Sequence, residues 1–211
     1  MTATCILKRI KELSFPDGRC LNEERFRNLA GEIYLFVTSS SYSEKEKDFF
    51  LRKLKKALRR IPQGNPFPLY NVRIDSFLGE ICLAVNFYLL KNSKSVSFEE
   101  TEESLFAKIN PVAFENCFFS FLSVILKKNN KASVRVKTGE KHSFAVISAD
   151  SLCLRSEFFF RQTVFVKHEK EKSEIYIPLT VSKNVLPDYE EDFSLLLADP
   201  LSPLQTWLCD I

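Results

Sequence analysis

The side chains best suited to chemistry in this chain are few and scattered. His142 and His168 are its two imidazoles, and six cysteines stand at Cys5, Cys20, Cys82, Cys117, Cys153 and Cys209. A zinc or related metal site needs ligands at short spacings, because they must converge on one ion. No two of these cysteines form a C-x-x-C pair, so no metal site is expected. They read instead as reduced, mostly buried thiols of a reducing compartment. Hydrolase signatures are missing too, with no G-x-S-x-G and no H-E-x-x-H. Carboxylates such as Glu99-Glu100 and Glu102-Glu103 come in runs that suit solvated loops. Glycine numbers 5 of 211 residues (Gly18, Gly31, Gly64, Gly79 and Gly139). A phosphate cradle needs the backbone freedom of glycine, and neither G-x-x-x-x-G-K-[ST] nor G-x-G-x-x-G occurs. P-loop NTPases, Rossmann dehydrogenases and protein kinases are therefore disfavoured.

The strongest cluster of one charge is Arg52-Lys53-Leu54-Lys55-Lys56-Ala57-Leu58-Arg59-Arg60. Arg52, Lys55, Lys56, Arg59 and Arg60 are the candidate partner-binding residues, a patch for an acidic partner or for nucleic acid. The same run also suits the solvated face of a helix, with cations favourably placed in its last turns. No aromatic residues interleave for base stacking, which favours the solvated face over a nucleic-acid site. The overall charge of +3 and pI near 8.5 are weakly basic, short of the surplus of a nucleic-acid binder. No apolar run approaches the roughly 18 residues of a membrane span. Met1 to Lys11 has charges spread through it and no cleavable apolar stretch. The expectation is a cytoplasmic protein with no membrane partner.

Elements must position these residues, and the first half is helical. Asn22 caps a helix with apolar positions Phe26, Leu29, Ile33 and Phe36 or Val37. Ser43 and Glu46 form a capping box for a second helix, whose seam is Phe50, Leu54, Ala57 or Leu58, and Ile61. Pro62-Gln63-Gly64-Asn65-Pro66 ends it. Two such helices cannot bury both apolar stripes alone, so they must pack on the rest of the chain or on a second copy. Beyond the break, Asp75 to Leu90 predicts an apolar helix and Ser95 to Glu99 a strand. Asn110-Pro111 opens a helix from Val112 to about Lys128, closed by Asn129-Asn130. Two hairpins follow, over 133–147 and 163–179. The order predicts an α+β fold, an antiparallel-rich sheet with helices on one face. The segment from Val181 to Ile211 is too apolar for a solvated tail and is expected to dock in a groove, of its own chain or of a partner.

Val72 to Asp150 resembles the GHKL-type ATP-binding domain of bacterial sensor histidine kinases. The run from Asn110 to Lys127 is similar to the family's N box, D-P-x-x-L-x-Q-x-x-x-N-L-x-x-N-A-x-K, at its apolar positions. The first asparagine of that box binds Mg²⁺, and Ser120 stands in its place; Val124 replaces the second. A lone hydroxyl is a far poorer magnesium ligand than an amide oxygen. Asp150 falls where the adenine-binding Asp of D-x-G-x-G would be, but both glycines are replaced and the later G-x-G box is absent. Between Leu154 and Thr163 there is no room for the ATP lid and its helix. The helical hairpin resembles the family's dimerisation and phosphoacceptor hairpin, with Asn28-Leu29-Ala30-Gly31-Glu32-Ile33 against N-x-S-H-E-[IL]. Gly31 falls at the phosphorylated histidine.

The layout is similar to the sporulation phosphotransferases of bacilli, which use both parts without binding ATP. The resemblance implies a hairpin over 1–65 for dimerisation, a GHKL-like two-layer sandwich lacking the lid over 66–180, and a docking segment over 181–211. It implies a non-catalytic regulatory module of bacterial signalling: not an enzyme, with no catalytic residue, cofactor or metal. Its partners would be a second copy, a response-regulator receiver domain or a sensor kinase. The alternatives are an active phosphotransferase and a nucleic-acid-binding module using the basic helix 52–60.

Overall fold

A computed structural model describes residues 2–14, 23–59, 69–100, 104–139, 142–150, 165–169, 172–181, 189, 193–209 and 211. Three helices come first: α1 (Ala3–Ser14), α2 (Glu23–Ser39) and α3 (Glu44–Leu58). The last two are the helices that the apolar spacing predicts. The capping box at the start of α3 is formed. The Glu46 backbone N–H donates to the Ser43 hydroxyl, and the Glu46 carboxylate accepts from the Ser43 N–H at 2.9 Å. The Ser43 hydroxyl also donates to that carboxylate at 2.6 Å. These bonds, the hydroxyl first, hold the Glu46 carboxyl below its ordinary range. A lowered value in the folded state means that their contribution is present above the unfolded pKa and fades as pH falls through the folded one. Ser43→Ala is expected to lower stability by about 1 kcal/mol, seen as a lower urea midpoint with an unchanged slope.

Helix α1 precedes the expected hairpin and adds a third helix to it. Its cause is visible in the sequence: Ile6, Ile10 and Leu13 recur at i, i+4 and i+7 and are all buried. They share one core with Ala30, Ile33 and Val37 of α2 and Phe50, Leu54 and Ala57 of α3. Arg9 pairs with Glu32 across α1 and α2 at 3.2 Å. The apolar stripes of the hairpin are thus covered within the chain, by a third helix.

The rest is a layered α+β fold, as expected. Its elements are β1 (Tyr70–Arg73), α4 (Ile74–Leu89), β2 (Ser95–Glu99), β3 (Phe106–Ile109), α5 (Pro111–Lys128), β4 (Lys131–Thr138), β5 (Ser143–Asp150), β6 (Phe165–Glu169) and β7 (Lys172–Leu179). Five strands form one sheet in the order β2-β4-β5-β7-β6. β2 runs parallel to β4, and the other neighbours are antiparallel. The parallel pair needs a long crossover, and α5 lies in it. β1 and β3 make a separate antiparallel pair. Strand alternation then sorts the side chains. Ala132, Val134, Val136, Ala145, Ile147, Ile175 and Ile177 join the core with α4 and α5, which places both helices on one face. α5 begins as predicted: the Asn110 side chain accepts from the Ala113 N–H at 2.7 Å, with Pro111 in the first turn. β2 is an edge strand, and its outward backbone at Val96 is satisfied by a side chain. Asn86 of α4 donates to the Val96 carbonyl and accepts from the Val96 N–H, both at 2.8 Å.

The opposite face of the sheet is mixed, with fully buried Val146 paired between Arg135 and Tyr176 and polar side chains around it. Ser133 and Ser148 share a hydrogen bond of 2.7 Å. The Arg135 guanidinium donates to Glu174 at 2.6 Å, and the Tyr176 hydroxyl donates to the same carboxylate at 2.5 Å. Lys137 lies over the Tyr176 ring, and Phe144 meets that ring edge-on at 5.6 Å. The bond to Glu174 raises the Tyr176 pKa above its ordinary 10.0, with burial and the Glu174 charge adding to it. A raised folded-state value means that the contribution is present below the unfolded pKa and lost as pH rises through the folded one. Ultraviolet titration is expected to show a tyrosine ionising above the ordinary range, absent in Tyr176→Phe.

Two short helices end the chain, α6 (Ser194–Ala198) and α7 (Pro203–Leu208). Leu196, Leu204 and Leu208 are buried in the core of the sandwich. The described part of the apolar C-terminal segment therefore docks on its own chain, with α7 against α5.

Candidate functional site

The basic run lies on α3, whose buried residues Phe50, Leu54, Ala57 and Leu58 anchor it to the bundle. That anchoring turns its cations outward, but they do different things. Arg52 is exposed and pairs with Asp48 one turn earlier at 2.8 Å. Lys53 lies over the exposed Phe49 ring, 5.5 Å from its centre. Lys56 is exposed and Lys55 is half-buried. Arg60 lies outside the described residues. Arg59 is engaged inside the molecule. Its guanidinium donates to the Thr206 carbonyl at 2.9 and 2.7 Å and sits 5.2 Å from the centre of the Trp207 ring. The Trp207 indole N–H in turn donates to Asn116 of α5 at 3.2 Å. This chain of contacts ties α3 to α5 through α7. Nothing in the spacing of the basic run distinguishes Arg59 from its neighbours, because its partners lie 147 and 148 residues further on.

Of the positions singled out by the family resemblance, Ser120 and Val124 lie one turn apart on α5, and Asp150 ends β5. Ser120 is half-buried on α5, and its hydroxyl donates to the Cys117 carbonyl of its own helix at 2.7 Å. Val124 is half-buried one turn further on. Asp150 is exposed at the end of β5, opposite Lys172 of β7. The residues after it, 151–164, where the resemblance would put the missing lid, lie outside the described residues. Asn116, one turn before Ser120, is the α5 residue that α7 engages. Burial pushes the thiols of Cys82 and Cys117 up to about 12, so neither is a nucleophile at neutral pH. Among the described residues, no group of three or more His, Cys, Asp or Glu could hold a metal ion.

Gly31 lies in α2, and a Cβ built there would meet nothing within 4 Å. A methyl group would fit at that position. Glycine inside a helix costs about 1 kcal/mol relative to alanine. Gly31→Ala is therefore expected to stabilise the bundle by about that amount, raising the midpoint of thermal unfolding.

The fold class is a mixed α+β sandwich, with helices on one face of a five-stranded sheet and a helical bundle before it. No family model matches the chain, and no curated protein matches it. Among solved structures, it is similar to the histidine kinase domain of the E. coli osmosensor EnvZ. That likeness covers 62% of this chain and 98% of that one, at 12% identity and a TM-score of 0.43. It is also similar to the Acinetobacter baumannii histidine kinase AdeS, over 85% of this chain and 95% of that one, at 9% identity and a TM-score of 0.39. One expectation is corrected here, that the chain is not an enzyme. Both of these structures are histidine kinases, which are enzymes. The substitutions at Ser120 and Val124, and the loss of the two glycines after Asp150, do not by themselves make this chain a non-enzyme. No described helix is long and apolar enough to cross a membrane.

Proposed function

We propose that the chain is a histidine-kinase-like signalling module that works by docking a protein partner on its basic helix. The observation that carries this reading is the division of labour on α3. Arg59 is held by α7, while Arg52 and Lys56 remain exposed on the same helix. The basic face is thereby fixed to the sandwich rather than free to swing, and fixed charges lose less freedom on binding. The elements expected from the sequence, a helical hairpin followed by helix, strand, helix and two hairpins, occur in the fold in that order, with α1, β1 and β3 added to them. A partner complementary to this face carries an acidic surface, and a receiver domain or a sensor kinase fits the proposed class. The division into 1–65, 66–180 and 181–211 belongs to the same proposal. So does a homodimer. α1 already covers the hairpin seam, so a second copy would use what remains outside it, Leu35 of α2 and Phe49 of α3.

The test is a calorimetric titration of the full chain with a purified receiver domain, alongside Lys56→Glu and light scattering. The proposal expects saturable binding that weakens in Lys56→Glu, and a mass twice 24.4 kDa. A monomer would remove the dimer. Binding that ignores the charge reversal would remove the docking face.

A further inference from the structure

The ends of α4 and α5 bring together lysines that lie far apart in sequence. α4 runs into Lys91-Asn92-Ser93-Lys94, and the last turn of α5 runs into Lys127-Lys128-Asn129-Asn130-Lys131. The Ser95 N–H donates to the Asn130 carbonyl at 2.9 Å, and the Lys94 ammonium donates to the Leu126 carbonyl. Ser95 stands opposite Lys131 where β2 pairs with β4. Ser93 takes a φ of 53°, a left-handed turn that brings the chain into β2. Five lysines therefore meet at one end of the sandwich, and neither segment contains a carboxylate. Lys91, Lys127, Lys128 and Lys131 are exposed. Among the described residues, Lys91, Lys127 and Lys131 make no ion pair.

An apolar stripe adjoins this cluster. Leu83, Phe87 and Leu90 are 52%, 57% and 74% exposed. They follow one another at i, i+4 and i+7, on one side of α4 and the turn after it. Toward the start of the helix the same side is polar, with Ser76 and Glu80 exposed. The apolar part is thus confined to the turns nearest the lysines.

We propose that this end of the sandwich rests on an anionic lipid bilayer. The lysines would lie among the headgroup phosphates, with Leu83, Phe87 and Leu90 at the acyl boundary. Clusters of four to eight lysines attract anionic lipid, each adding about 1 kcal/mol. Apolar side chains on one helix side add shallow insertion to that attraction. A docked partner helix would instead need a groove with two walls, whereas this stripe projects from α4 alone. Nucleic-acid phosphates would engage the lysines but leave Leu83 and Leu90 exposed to water. The attachment is peripheral, does not depend on the docking reading of α3, and departs from the expectation of no membrane partner.

The test is co-sedimentation of the full chain with two kinds of vesicle, phosphatidylcholine alone and phosphatidylcholine with about a quarter phosphatidylglycerol. Binding to the anionic vesicles alone is expected, falling as salt rises. Replacing Lys91, Lys127 and Lys131 together by Glu should abolish it, and Gln at the same positions should give an intermediate loss. Phe87→Ser should weaken binding about tenfold. All four positions are exposed, so an unchanged circular dichroism spectrum is expected. Three results would overturn the proposal: equal binding to neutral vesicles, no binding to either, or undiminished binding by the lysine variant. Lysine-dependent binding to a DNA duplex or an acidic protein without vesicle binding would overturn it in favour of that partner.

Discussion

Phe118→Ala is expected to cost about 3–5 kcal/mol of folding stability. Phe118 is fully buried in the middle of α5. Its ring stacks on Phe114 at 6.1 Å and meets Phe119 edge-on at 5.7 Å. Truncation loses the burial of a whole ring and leaves a cavity that its aromatic neighbours fill only in part. Domains of this size are stable by only about 5–15 kcal/mol, so a large part of the margin goes. At roughly 2–4 °C per kcal/mol for a chain of this length, the thermal midpoint should fall by about 10 °C. Phe118→Leu keeps most of the volume and should cost markedly less. A midpoint unchanged in Phe118→Ala would contradict the placement of α5 in the core.

The second large effect concerns α7. Leu208→Ala is expected to cost about 2–5 kcal/mol, because Leu208 is buried against the sandwich although it stands three residues from the end of the chain. Its loss also loosens the seat of Trp207 and Thr206, the two residues that hold Arg59. The helical bundle and the sandwich have separate cores, and α7 bridges them. Loosening α7 should therefore do more than lower one transition. Calorimetry is expected to show one unfolding transition in the parent chain and a broadened or split one in Leu208→Ala. Arg59→Ala should split the transition too, with a smaller loss of stability, since it removes the tie and leaves the buried leucines in place. A sharp single transition in both variants would mean that α7 does not couple the two cores.

Where sequence and fold agree, the signal is local. Asn110-Pro111 and Asn129 mark the ends of α5, and Ser43 with Glu46 marks the start of α3, because caps depend on neighbours within one turn. Strands β4 and β5 follow from simple alternation around a turn. The missed elements have physical reasons. β1 and β3 are four residues each, too short for a period, and exist through their mutual pairing. α1 carries a legible i, i+4, i+7 pattern, but the value of that pattern depends on α2 and α3 being there to cover it. The candidate site divides in the same way. Exposed Arg52 and Lys56 could be read from the charge run and the helix period. The role of Arg59 could not, since it is set by Thr206 and Trp207. Nor could the lysine cluster of two segments, which exists only because β2 pairs in parallel with β4. The expectation of a non-enzyme rested on motif positions, Ser120, Val124, the glycines missing after Asp150 and Gly31 at the histidine position, read as the whole of the chemistry.

The central claim is that a fixed basic face on α3 docks an acidic protein partner. The most direct measurement is the calorimetric titration of the full chain with a receiver domain, run at low and at physiological salt. The account predicts saturable binding that weakens as salt rises, because exposed charges are screened, and that weakens about tenfold in Lys56→Glu. No binding at low salt, or binding that neither salt nor the charge reversal alters, would contradict it.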